Sequence, residues 1–183
     1  FASLRGSGTL AEGTLRADAH LNKLPAAIGR LIDLGDSRLA GTLAANLKWS
    51  KNAGDVWKAT ADARVKQFEL QAEQLAPWRE DDLQVTAEAT GLLGQSTLER
   101  VDAARLTVAS AADRLEVELT EPVSKLSAQS AWPARFLLRG DLAAWAARLQ
   151  PFVPLGEWRT SGEIDASGSG RFAAAASELA DIK

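Results

Sequence analysis

The feature that most constrains this chain is a hydrophobicity that repeats every second residue. From Leu39 to Trp49 the odd positions read Leu39, Gly41, Leu43, Ala45, Leu47 and Trp49, while the even positions read Arg38, Ala40, Thr42, Ala44, Asn46 and Lys48. A helix would scatter these side chains around its circumference, whereas a strand places the leucines and the tryptophan on one face. Trp57, Ala59, Ala61, Ala63 and Val65 repeat the pattern against Lys58, Thr60, Asp62, Arg64 and Lys66, after a Lys51–Asp55 stretch that reads as a hairpin connection. Leu83, Val85, Ala87 and Ala89 form a third run, and Leu115, Val117 and Leu119 alternate with Glu116, Glu118 and Thr120. The pattern predicts a mainly β chain of antiparallel strands, each with one apolar and one polar face.

Irregularities in the pattern are as informative as the pattern. After Val65 the apolar phase slips, because Phe68, Leu70 and Ala72 fall on even positions. One extra residue in a strand does this, so a β-bulge is expected near Lys66-Gln67. Trp78 to Asp82, following Pro77, reads as a polar break, and Gly91 to Gly94 as a turn. Val101–Ala109 reads as a strand anchored by Leu106 and Val108, with a helix over Thr97–Ala109 as the rival. Ala111-Ala112-Asp113 is the next turn, and Glu121-Pro122 ends the strand through Leu119, because proline offers no ladder donor. Leu126–Trp132 and Ala134–Arg139 are shorter candidate strands divided by Pro133.

Two segments carry helical spacing instead. Leu24–Leu34 has Pro25 placed for a first turn and Gly35 as a stop, and Asp141–Gln150 has Asp141 placed to cap its N-terminus, with Pro151 barring continuation. Each helix precedes a similar strand: Leu34-Gly35-Asp36 is answered by Leu155-Gly156-Glu157, and a shift of 121 positions lays Leu24 on Trp145 and Ile28 on Leu149. Trp158, Gly162, Ile164, Ala166 and Phe172 then share a face. The order suggests a helix-then-strands repeat starting near residues 24 and 141, with residues 1–21 ending a preceding copy. The chain opens on Phe1 and ends within an alternating run, which points to a piece of a longer repetitive protein. Its open strand edges are expected to associate edge to edge, and the tail around Ala173–Ala176 to be disordered or helical.

Composition narrows the function. Lys and Arg number 21 against 24 Asp and Glu, interspersed, for a net charge of -3. No basic face for nucleic acid emerges. There is no cysteine, and no apolar run approaches the ~20 residues of a membrane span. About one residue in five is alanine, which makes a shallow strand surface and fills a thick core poorly. The single histidine, His20, falls on a polar face without ligand-spaced neighbours, and Glu80-Asp81-Asp82 reads as solvated charge. Gly6-Ser7-Gly8 and Gly168-Ser169-Gly170 lie inside period-two runs rather than in phosphate loops. No histidine-based triad is present to activate a serine. No catalytic, metal-binding or cofactor-binding residues are assigned. Of the six tryptophans, Trp49, Trp57 and Trp158 share faces with leucines and read as apolar packing.

The short helix, Leu34-Gly35-Asp36, Leu39-Ala40-Gly41-Thr42-Leu43, and later Thr160-Ser161-Gly162-Glu163-Ile164-Asp165-Ala166-Ser167-Gly168 resemble the repetitive periplasmic region of AsmA-like and TamB-like proteins. Asp102–Val108 followed by Asp113–Leu119 is similar to that family's paired strands. The resemblance implies a strongly curved antiparallel sheet forming a taco-like groove, punctuated by two short helices and anchored to the inner membrane of a diderm bacterium. It also implies that the groove carries phospholipid toward the outer membrane, without catalysis or cofactor. The residues expected to line it are Leu39, Leu43, Leu47, Trp49, Trp57, Val65, Leu83, Val85, Leu115, Val117, Trp158 and Ile164. Their expected partners are phospholipid acyl chains and neighbouring repeats. A structural or protein-interaction module with a closed apolar core wants the same side chains, so alternation leaves both open.

Overall fold

Alternating sequences of this kind satisfy their backbone only by pairing with neighbours, and the chain does so almost entirely in sequence order. The computed structural model describes residues 2–23, 38–52, 54–71, 77–94, 97–111, 113–124, 126, 130–149, 160–173 and 176–182. The strands are β1 (Ala2–Gly8), β2 (Glu12–His20), β3 (Arg38–Lys51), β4 (Val56–Gln71), β5 (Trp78–Leu93) and β6 (Leu98–Ala109). They continue with β7 (Arg114–Leu119), β8 (Val123–Ser124), β9 (Trp132–Asp141), β10 (Glu163–Ala173) and β11 (Ala176–Ile182). One helix, α1 (Leu142–Leu149), lies between β9 and β10, and a 3-10 turn covers Leu21–Lys23. The sheet runs β1-β2-β3-β4-β5-β6-β7-β9-β10-β11, antiparallel throughout, with β8 paired to β6 off that path. Its two edges, β1 and β11, are not joined, so the sheet is open.

Register converts the alternation into continuous rows. Leu15, Leu47, Ala61, Ala87, Leu106, Val117, Phe136 and Gly168 are successive partners from β2 to β10. On the opposite face the equivalent row reads Lys48, Thr60, Glu88, Arg105, Glu118, Arg135 and Ser169. Opposite charges thus sit directly across from one another, as Arg135 and Glu118 do at 2.7 Å.

The expected bulge is present. β3 and β4 shift register between Ala40 and Thr42, and Gln67 takes the left-handed φ of 52° there. Gly41 faces this kink with φ 124°, and a Cβ on it would lie 2.9 Å from both the Lys66 and Gln67 carbonyl oxygens. Asp141 also behaves as expected: its Oδ1 accepts the Ala144 amide at 2.8 Å and caps α1.

Several expectations fail. Trp78–Asp82 is no break but the start of β5, because its charges find partners: Arg64 chelates Asp82, and Arg148 binds Glu80. Gly91 lies within β5, where a register shift brings it against the Arg100 carbonyl, and the turn falls later, closed by the Gly94 amide on the Thr97 carbonyl. By contrast, the strand reading of Val101–Ala109 holds over its helical rival, the strand beginning earlier, at Leu98. Pro133 does not divide two strands. It lies inside β9, just past the last β7 pair at Leu119 and Ala134, and its carbonyl accepts from Thr120. Of the expected Leu126–Trp132 strand, only Trp132 is strand among the described residues. Ala176 opens β11 rather than extending a disordered or helical tail. The Leu24–Leu34 helix, and with it the first repeat start, lies outside the described residues. The second expected helix, over Asp141–Gln150, is present as α1.

Candidate functional site

Among the described residues the side chains of the apolar face are mostly half-buried. The 19.5 kDa chain exposes 12499 Å², against about 8,500 Å² for a compact monomer of that mass. No described side chain is fully buried, and the core reduces to Leu21, Ala59, Leu70, Leu83, Val101, Val123 and Ala134. Most of the expected lining residues are accordingly only half-buried.

A hollow of about 400 Å³ opens on this face. Two adjacent rows explain where it lies. Trp49 pairs with Ala59, Ala59 with Ala89 and Ala89 with Ala104, while Leu47 pairs with Ala61 and Ala61 with Ala87. Alanines therefore occupy the middle strands β4, β5 and β6 where leucine or tryptophan stands further along the same rows. Ala59, Ala61, Ala87, Ala89 and Ala104 line the hollow, bounded by Leu47, Leu106, Val117, Leu119, Trp132 and Phe172. Among the described residues the charged members of its lining are Glu88 and Arg105, partners in register on β5 and β6.

Of the residues expected from sequence, Leu47 and Val117 line this hollow. Leu43, Val65, Val85, Leu115 and Ile164 occupy neighbouring rows of the same face. Leu39 lies beyond the Gly41 bulge, paired with Leu70. Leu83 is buried, with 7% of its surface exposed. Trp49 folds over Gly13, and its indole Nε1 donates to the Thr9 carbonyl at 2.9 Å, so it serves the β1–β2 turn. Trp57 pairs with Gly91 near the hairpin end. Trp158 lies outside the described residues. The pattern set Ala59, Ala61, Ala87, Ala89 and Phe172 on apolar faces without assigning them to the lining, and Ala104 and Trp132 were not assigned to a face. The signal for the alanines was their own phase, identical to that of the leucines beside them.

The other end of these strands carries a second constellation that no motif announced. Eight residues of α1 span about 12 Å at 1.5 Å per residue. That length, plus an arginine side chain, reaches from β9 across β7 and β6 to β5. At its far end Arg148 is buried. Its Nη2 donates to Asp113 Oδ2 at 2.6 Å and to Ser110 Oγ at 3.1 Å, and its Nε donates to Glu80. Asp113 Oδ1 accepts the Asp141 amide at 2.7 Å, and Trp78 Nε1 donates to Glu80 at 2.9 Å. The Arg148 guanidinium lies 4.9 Å from the Trp145 ring centre. Gly140 makes the approach possible, since a Cβ there would collide with Asp113 Oδ1. Burial alone would raise the Asp113 pKa. The hydrogen bonds from Arg148, the Asp141 amide and Ser110, with the Arg148 charge, outweigh it and hold the carboxyl below its ordinary value.

The polar face is laced by exposed ion pairs. Arg105 meets Glu116 at 3.2 Å and Arg139 meets Asp165 at 3.2 Å. Hydrogen bonds from Arg135 lower the Glu118 pKa, and those from Arg64 lower that of Asp82. His20 is exposed, and no group of acidic or histidine side chains among the described residues is arranged to hold a metal. No helix among them is long and apolar enough to cross a membrane.

Comparison with protein-family models, with curated proteins and with solved structures finds no significant match.

Proposed function

We infer that the sheet curls into a groove whose apolar inside holds phospholipid acyl chains, and that the chain is a non-enzymatic segment of a phospholipid path between two membranes. The observation that carries this reading is the hollow lined from Leu47 on β3 to Phe172 on β10. In a flat sheet those strands stand six spacings apart, about 29 Å at 4.8 Å each. One hollow of about 400 Å³ bounded by both supports a sheet that bends its apolar face inward. The energetics favour such a lining, because each methylene withdrawn from water contributes roughly 0.8 kcal/mol. Segregation of charge onto the opposite face supports an aqueous outside, and the periplasm of a diderm envelope, between an inner-membrane anchor and the outer membrane, is the setting this reading assigns. Neighbouring repeats would lengthen the track.

Purification from a bacterial envelope, followed by native mass spectrometry and lipid extraction, tests the reading. Co-purifying phospholipid is expected, and it should be lost in Leu106→Glu and Leu43→Glu while both variants keep the β circular-dichroism spectrum. Absence of lipid together with unfolding of both variants would identify closed-core packing instead and overturn the groove.

A further inference from the structure

We propose that α1 is a hinged strap, latched by Arg148 across one end of the apolar face and able to lift as a unit while the sheet stays folded. Its root lies where the β9–β10 ladder stops, at the pair of Asp141 with Glu163. A glycine precedes each member of that pair, Gly140 with φ 152° and Gly162 with φ 113°. Gly140 is held against Asp113, whereas a Cβ on Gly162 would meet nothing within 4 Å. Gly162 is therefore required for its backbone angle and not for space, as at a hinge. The Leu142 amide donates to the Gly162 carbonyl at 2.8 Å and closes the root.

Beyond the root the helix packs against β9 and β5. Four of its eight residues are alanine, so it offers little apolar area to hold it down. Eight residues are also too few for a helix to persist alone in water. Charge holds the tip instead: Arg148 donates to Asp113, in the β6–β7 turn, and to Glu80 on β5. Both anchors lie on the apolar side. Gly140, which makes room for Asp113, is in phase with Phe136 and Leu138, and Glu80 accepts from Trp78, the partner of buried Leu70. The latched position leaves two buried donors without a protein acceptor, Arg148 Nη1 and Trp145 Nε1. Burying an unpaired donor disfavours the state that buries it. Lifting returns both donors to solvent, which offsets part of what the latch contributes and leaves the strap poised.

Native-state hydrogen exchange, read residue by residue, separates a strap from a helix integral to the sheet. In the unmodified chain the α1 amides should exchange about 100-fold faster than the ladder amides of β5 and β6, through a local opening that low urea barely changes. Arg148→Met should strip α1 of protection, bringing its amides within about tenfold of unstructured-peptide rates. The β5 and β6 amides should then lose no more than the factor by which α1 was protected, because an open strap has nothing further to lose. Gly162→Ala alone should lower α1 protection by roughly tenfold, the cost of a side chain at that φ. Added to Arg148→Met, it should change sheet protection by less than about twofold, whereas independent sites would add. Exchange of α1 in step with β5 and β6 at every urea concentration overturns the proposal. So do additive losses in the double variant, and so does an Arg148→Met chain that fails to fold, since the sheet must survive an open strap. None of these outcomes depends on what the apolar face holds, so they leave the groove reading to its own test.

Discussion

At the scale of single residues the most consequential group is Arg148. It is 7% exposed and faces Asp113, also 7% exposed, together with Glu80. Removing the cation leaves two carboxylates around an apolar helix end, and breaking a buried pair in this way typically costs about 3–5 kcal/mol. Arg148→Met should therefore lower the urea midpoint sharply, whereas Arg139→Met, at an exposed pair, should move it by no more than about 1 kcal/mol. Asp113 adds a pH signature. Its folded pKa lies below its unfolded one, so its contribution is fully present above the ordinary aspartate value and disappears as pH falls through the depressed folded value. Urea midpoints measured downward from pH 5 should show wild type converging on Asp113→Asn, with the gap closing only below about pH 4, the ordinary aspartate pKa. A gap that stays constant through that range would mean that the Asp113 charge does not stabilise the fold.

Elements show which features local sequence determines and which it cannot. The phase slip at Lys66-Gln67 was legible because a one-residue insertion flips every later side chain, and the bulge lies there. Gly41, opposite it, is held at φ 124° against two carbonyl oxygens. Gly41→Ala should destabilise by roughly 1–3 kcal/mol, the usual cost of a non-glycine residue in so sparsely populated a conformation, readable as a lowered urea midpoint at unchanged slope. The Asp141 cap was legible for the same local reason, and Asp141→Ala should cost about 0.5–2 kcal/mol. The start of β5 was not legible. Glu80 and Asp82 look solvated until Arg148 and Arg64, 68 and 18 residues away, supply their counter-charges. Pro133 misled similarly, because whether a proline breaks a strand depends on where the neighbouring ladder ends, which is a property of β7 rather than of β9.

For the whole molecule, the question is what one apolar face does when the described residues form a single sheet with no second sheet across it. Alternation alone predicted the face and most of its residues, but not whether it was sealed, because a sandwich and a trough select the same leucines. Nor did leucine spacing find the floor of the hollow, which alanines make by being small. The two architectures respond differently to buried charge. Leu106 is 38% exposed in the lining of the hollow, while Val101, five residues earlier on β6, is 4% exposed where it pairs with Val123 of β8. An ionised carboxylate at Val101 must leave water unpaired, and native stability of about 5–15 kcal/mol cannot absorb much of that cost. At Leu106 the carboxylate keeps access to solvent through the open face. Val101→Glu should therefore abolish cooperative urea unfolding, while Leu106→Glu should retain it, with a midpoint lowered by no more than about 1 kcal/mol and weaker binding of an apolar fluorophore. Equal collapse of both variants would place Leu106 in a sealed core, and the exposed area of the sheet would then need a second layer to cover it.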